Sequence, residues 1–174
     1  MSINPDIGPS LQLEKLLAAL DQHAVDFIVI GGIAGVIYGS AYPTYDFDVL
    51  YARDEKNLER MASALRELEV SLRNARPDLP FQVDARALAA GSNFTFDSKF
   101  GPFDILGEAA GMRDYEEMRA AARKEKIFGF EVRVASLDDL IRMKRAAGRP
   151  KDRLMVEEYV AIAEDQRRSG KGEK

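Results

Sequence analysis

The chain has 174 residues, of which 46% are hydrophobic and 31% charged, a composition that suits one globular domain with its own core. Cysteine is absent and His23 is the sole histidine, which excludes disulfides, thiolate zinc sites, cysteine nucleophiles and multi-histidine metal centres. The formal net charge of −4 gives no sign of general nucleic-acid affinity, so any such binding needs a local patch. No stretch approaches the roughly 20 apolar residues that span a bilayer, and the start lacks the apolar run of a signal peptide, so a cytoplasmic location is expected.

One domain over 1–174 is expected, with an irregular lead-in over 1–9 and a frayed polar tail over 167–174. Ser10 predicts the cap of a helix over 11–23, whose stripe is Leu11, Leu13, Leu16, Leu17 and Leu20. An apolar strand over 26–30 runs into Gly31-Gly32, read as a turn, and a short helix over 33–38 closed by Gly39. A second strand is predicted over 46–51 and a long amphipathic helix over 55–73. Residues 76–79 form a Pro-containing break, and 82–90 is ambiguous. Strands follow over 93–96 and 103–106, with Gly101-Pro102 in the turn between them. A helix over 114–123 precedes two short strands, 126–128 and 131–134, joined at Gly129. Ser136 and Asp139 resemble a capping box opening a helix to Ala147, stopped by Gly148 and Pro150 before a final helix over 151–165. This order describes a mixed α/β (α+β) sheet with a helical end.

Chemistry concentrates in three places. Asp46 and Asp48 alternate along one strand, so they share a face while Phe47 and Val49 turn to the other. Like charges so placed repel and call for water or a cation between them. Upstream, Gly31-Gly32 follows a strand, and only small residues let a backbone approach a phosphate closely. Paired carboxylates and phosphate oxygens together suit Mg2+. Each half alone is common: a glycine turn, or a solvated strand face. The second place is Asp104, a charge inside the apolar run Phe103-Asp104-Ile105-Leu106, which can equally mark an alternating strand with one wet face. Asp97 is the runner-up and reads as a turn residue. The third is a run of six cations within 142–153, Arg142, Lys144, Arg145, Arg149, Lys151 and Arg153, opposed only by Asp152. Alone, it reads as a solvated helix face.

Ile30-Gly31-Gly32, thirteen residues, then Asp46-Phe47-Asp48 resembles the signature of the polymerase-β-like nucleotidyltransferase superfamily. The stretch GGIAGVIYGSAYPTYDFDVL is similar to the minimal nucleotidyltransferases grouped with AbiEii-type and MenT toxins, and LDDLIRMKRAAGRPKD resembles the C-terminal signature of the same group. Thr44 matches a threonine common there, while Tyr42 stands where an arginine is common. The resemblance implies a nucleotidyltransferase-like mixed sheet flanked by helices, with a C-terminal helical pair. It implies that Asp46 and Asp48 hold Mg2+, as one or two ions with Mn2+ as a substitute, and that Asp104 is the third metal ligand and the base. It implies that Gly31, Gly32 and Ser40 cradle phosphates, and that Lys144, Arg149 and Lys151 neutralise the triphosphate, with Asp152 orienting one of these cations. The implied reaction moves a nucleoside monophosphate from an NTP to an acceptor hydroxyl. The implied acceptor is RNA, specifically a tRNA 3′ end, in a toxin–antitoxin or phage-defence setting with a separately encoded antitoxin and no membrane partner.

Alternatives stay open. The acceptor can be a protein hydroxyl or a small molecule such as an aminoglycoside. The chain can be a binding module of the same fold that has lost catalysis, which Tyr42 favours. A dinucleotide-binding fold is a third reading, but the glycine spacing is one residue short and Tyr51 stands where a ribose-binding acid belongs. Tyr38, Tyr42, Tyr45 and Tyr51 are weighed as base-stacking or packing residues, and His23 as a surface or capping residue.

Overall fold

The computed structural model describes residues 2, 3, 5, 10–76 and 78–170. The expected lead-in over 1–9 is therefore described only in part, and Pro77 of the break and the tail residues Lys171 and Lys174 lie outside the described residues. The elements run α1 (Leu13–Gln22), β1 (Phe27–Ile30), α2 (Gly31–Tyr38), β2 (Phe47–Tyr51), α3 (Glu55–Glu67), β3 (Ser71–Leu72) and α4 (Ala85–Ala90). They continue with β4 (Asn93–Ser98), β5 (Gly101–Leu106), α5 (Tyr115–Ala121), β6 (Arg123–Ile127), β7 (Phe130–Val134), α6 (Leu137–Ala147) and α7 (Pro150–Arg168).

The strands form one seven-stranded sheet in the order β3-β4-β5-β2-β1-β7-β6. β2 lies near its middle, antiparallel to β1 and parallel to β5. This is a mixed α/β sheet with flanking helices and a C-terminal helical pair, as the element order implies. Alternation along β2 and β5 sorts their side chains by face. Phe47, Val49, Phe103 and Ile105 are fully buried, and the Phe47 and Phe103 rings stack with centroids 5.4 Å apart. The same core takes Leu16 and Leu20 of α1 with Met61 and Leu65 of α3. Asp48 and Asp104 are left on the other face.

Several boundaries differ from the sequence reading, each for a local reason. Leu11 is buried before α1 starts, and the Gln12 N–H donates to the Phe100 carbonyl at 2.9 Å. The chain is thus held extended there, and Gln12, not Ser10, precedes the helix. The Gly31-Gly32 turn is instead the first part of α2. Helix α3 stops at Glu67, six residues short of the expected end, because Glu69 takes a left-handed φ of +53° and the chain reverses into β3. Asp97 sits within β4, where Ser71 of β3 pairs with it, and is not in a turn. The ambiguous stretch holds α4, capped by the Asp84 side chain. Helix α7 runs on past the expected end at 165 and takes in Arg167 and Arg168. Of the expected capping box of α6 the N-cap half forms, with Ser136 Oγ accepting from the Asp139 N–H at 3.2 Å, while the Asp139 carboxylate accepts from the Ser136 hydroxyl at 2.8 Å in place of its backbone N–H.

Candidate active site

The acidic half of the site is carried on the central strands. β2 and β5 run parallel with Asp48 opposite Asp104. Register neighbours in adjacent strands share a face about 4.8 Å apart. Asp46 lies just before β2, and Thr44, which is buried, donates from Oγ1 to the Asp46 carbonyl at 3.3 Å and so shapes the entry to the strand.

Both glycines are required by close approach. Gly31 has a φ of +67°, and a Cβ there would stand 2.9 Å from Asp48 Cγ and closer still to its Oδ2. A Cβ on Gly32 would stand 2.6 Å from the Thr44 Cβ. The start of α2 therefore lies directly against the acidic strand, and its first N–H groups have no partner within the helix. Placing a helix start beside carboxylates fits a ligand that carries phosphate and metal together.

The cationic half comes from the helical pair. Lys144 of α6 donates from Nζ to Asp152 Oδ1 at 3.1 Å, and Arg149 donates from Nε to Asp152 Oδ2 at 2.7 Å. The Arg149 N–H also donates to Asp152, at 3.2 Å, so this carboxylate caps α7 as well. Asp152 is buried at 1% exposure, whereas the Arg149 side chain is 71% exposed, so the anchor is internal and the cation is presented outward. A cavity of about 290 Å3 joins the two halves: Gly31, Asp48, Asn93, Glu108, Lys144 and Arg149 line it, with Met143 in its apolar wall. A larger groove of about 480 Å3 lies between α6 and α7, lined by Arg142, Arg145 and Arg167, and none of the expected site residues reaches it.

Charges in the site act on one another. Burial, then Asp104, then Asp46 push the Asp48 carboxyl up to about 7, against the pull of Lys144 and Arg73. Asp104 is raised by burial, opposed by the Arg73 guanidinium. Asp152 goes the other way: burial would raise it, but the hydrogen bonds from Arg149 and Lys144 outweigh that and lower it.

Arg73 was not foreseen. It follows β3 and donates from Nη2 to Asp104 Oδ1 at 3.0 Å and to the Phe96 carbonyl at 2.6 Å, and from Nε to Asp97 Oδ1 at 3.0 Å. In sequence it reads as the last residue of a long helix, and only the reversal at Glu69 brings it to the site. Other expected residues stand apart from the cavity. Ser40 Oγ donates to Glu158 at 2.6 Å and ties the end of α2 to α7. Lys151 is exposed and does not line the cavity. Tyr38 and Tyr51 donate to the backbone carbonyls of Ala135 and Ser92, and Tyr45 is exposed. His23 contacts Glu67 at 2.6 Å, linking α1 to α3.

Among the described residues no group of three histidine, cysteine, aspartate or glutamate side chains is arranged to hold a metal ion, and no helix is long and apolar enough to cross a membrane. The Asp48 carboxylate, which stands against Gly31, and that of Asp46 two residues before it offer only oxygen donors, the ligand type Mg2+ takes from one or two carboxylates with phosphate oxygens completing the shell.

No protein-family model matches the chain, and no curated protein matches it by sequence. Solved structures do resemble it in fold. Lincosamide antibiotic adenylyltransferase LnuA, bound to lincomycin, aligns with a TM-score of 0.59 at 11% identity, over 90% of this chain and 99% of that one. A nucleotidyltransferase candidate from Thermotoga maritima gives 0.53 at 15% identity, over 86% and 90% of the two chains. An antigenic nucleotidyltransferase-like protein from Paracoccidioides brasiliensis gives 0.51 at 16% identity, over 91% and 77%. The likeness is one of fold: the seven-stranded mixed sheet, its flanking helices and the C-terminal helical pair are shared with these structures.

Proposed function

We propose that the chain is a nucleotidyltransferase that moves a nucleoside monophosphate from an NTP to an acceptor hydroxyl and releases pyrophosphate. The observation that carries this reading is the single cavity in which Gly31, Asp48, Lys144 and Arg149 meet. Asp46 and Asp48 would hold Mg2+, or Mn2+ in its place, which when bound supplies positive charge to the phosphate oxygens. The opening N–H groups of α2 receive phosphate oxygens, and Gly31 and Gly32 let them approach. Lys144 and Arg149 bind the triphosphate, Arg149 through its planar fork. Asp104 takes the proton of the acceptor hydroxyl, whose oxygen forms the new bond to the α-phosphorus as the bond to pyrophosphate breaks. Phosphoryl transfer depends chiefly on this positioning and on electrostatics.

The acceptor we favour is RNA, a tRNA 3′ end. That reading rests on the motif likeness to the AbiEii-type and MenT toxin group, and it brings a toxin–antitoxin or phage-defence setting, a separately encoded antitoxin and a cytoplasmic location. A second reading is a small-molecule acceptor, favoured by the fold likeness to an enzyme captured with lincomycin and by the acidic Asp97 and Glu108 around the site. The test is to incubate the protein with each labelled NTP and Mg2+, with total RNA in one arm and lincosamide and aminoglycoside antibiotics in another, beside Asp46→Ala. Label entering RNA with the wild type alone supports the first reading. Label entering an antibiotic supports the second. Equal labelling by Asp46→Ala removes the metal assignment. Tight Mg-NTP binding without transfer to any acceptor identifies an inactive module.

A further inference from the structure

The guanidinium of Arg73 is fixed on three acceptors at once: Asp104 Oδ1 at 3.0 Å, the Phe96 carbonyl at 2.6 Å and Asp97 Oδ1 at 3.0 Å. Its backbone is fixed too, since the Arg73 N–H donates to the Thr95 carbonyl at 2.9 Å. The side chain is only 22% exposed. This is not a surface arginine in transit. It is an internal cation built into the acidic face of the sheet, supported by β3 and β4.

A pair of divalent ions in a phosphoryl-transfer site sits about 3.5–4 Å apart and needs carboxylates that reach both. On this sheet the third carboxylate, Asp104, already has one oxygen on Arg73. Among the described residues no three carboxylates are arranged for one ion either. Asp46 and Asp48 remain as the pair open to metal. A second ion beside Asp104 would lie against a guanidinium that cannot lose its proton.

We propose that Arg73 is the resident countercation of this site and stands in for a second metal ion, so that the nucleotide complex holds one divalent ion, on Asp46 and Asp48. The inference rests on the nucleotidyltransferase reading and adds a stoichiometry to it. Arg73 is a positioning residue in this scheme: it holds Asp104 in place and does not touch the NTP.

The test is metal counting by electron paramagnetic resonance, titrating the full chain with Mn2+ in the presence of an α,β-methylene NTP analogue. The wild type should bind one Mn2+ per chain and show no Mn2+–Mn2+ dipolar coupling. Arg73→Gln should bind two and show that coupling, while Arg73→Lys, which keeps the charge, should bind one. Two coupled ions in the wild type would overturn the inference and leave the nucleotidyltransferase reading standing. One ion in both the wild type and folded Arg73→Gln would also overturn it. Absence of Mn2+ and analogue binding to the wild type would sink the underlying reading as well. Two ions in the wild type overturn the inference whatever the variant does, and if Arg73→Gln does not fold, Arg73→Met takes its place in the same count.

Discussion

Asp48 of β2 lies opposite Asp104 of β5 across two neighbouring parallel strands, so two carboxylates share one face in the middle of the sheet. With burial and Asp46 they hold the Asp48 carboxyl at about 7, well above its ordinary 3.8. A carboxyl whose folded value is raised adds stability below its unfolded value and loses it as pH rises through the folded one. The metal-free protein should therefore lose stability between about pH 4 and pH 7 on this account. Asp48→Asn should melt higher than the wild type at pH 8 without metal, and the difference should shrink toward pH 4. Because metal binds the ionised form, Mg2+ binding near pH 7 should release protons and tighten as pH rises. Calorimetry in buffers of different ionisation enthalpy checks this, and proton-neutral binding at pH 7 would contradict it.

Gly31→Ala should be inactive. The new Cβ would sit on the Asp48 carboxylate, at a φ of +67° that costs an L-residue about 1–2 kcal/mol. In a domain of this size that lowers the melting temperature by roughly 2–8 °C. NTP binding, followed by competition with a fluorescent analogue, should fall at least about tenfold. Unchanged affinity would show that the glycine approach is not part of the phosphate site.

Asp152→Ala and Arg149→Ala should separate stability from binding. The Asp152 carboxylate is buried and accepts from Lys144, from the Arg149 side chain and from the Arg149 backbone. Its loss should cost about 2–3 kcal/mol, as for hydrogen bonds to charged groups, and should also raise the KM for NTP. Arg149→Ala exposes nothing new and should leave the melting temperature nearly unchanged while raising that KM.

Asp139 of α6 accepts from both Arg113 Nε at 2.8 Å and Arg113 Nη2 at 2.9 Å, from Arg142 at 2.7 Å and from Ser136 at 2.8 Å, and it is 1% exposed. Burial would raise its carboxyl, but these donors lower it. A lowered carboxyl adds stability above its unfolded value and loses it as pH falls through the folded one. Acid unfolding below about pH 4 should therefore draw on Asp139 and Asp152 together. Asp139→Ala should cost about 2–3 kcal/mol at pH 7, as for hydrogen bonds to charged groups, measured by urea unfolding, and the cost should shrink in strong acid.

Tyr159 is fully buried, and among the described residues its hydroxyl has no hydrogen-bond partner. The oxygen packs on Gly35 of α2. Tyr159→Phe should raise stability by about 1 kcal/mol or more, since an unpaired buried hydroxyl is costly. A lower melting temperature would reveal a partner for that hydroxyl.

Much of this site could be read from the sequence because its signals are local. Asp46 and Asp48 announce themselves by period-two alternation around buried Phe47 and Val49. Gly31 and Gly32 stand out because a strand leads into them. Lys144 and Arg149 belong to a run of cations on either side of Gly148, the residue that ends α6. Arg73 carries no such mark. Its role depends on where α3 stops, and that is set by Leu68 burying itself and Glu69 turning left-handed, a tertiary outcome that helix periodicity does not encode. Ser40 was misleading for the opposite reason: it stands in sequence beside the motif, but its hydroxyl is claimed by Glu158, distant in the chain. Asp97 reads as a turn residue because its neighbours are polar, yet pairing with Ser71 keeps it in the strand.

The two halves of the cavity also differ in the order in which the ribosome makes them. Gly31, Asp48 and Asp104 leave it before any of α6 or α7 exists, and Lys144, Arg149 and Asp152 follow later. A nascent chain that has completed β5 thus carries its acids without the cations that would grip a triphosphate. On the nucleotidyltransferase reading, a fragment cut between β5 and α6 would be silent until its missing half is supplied.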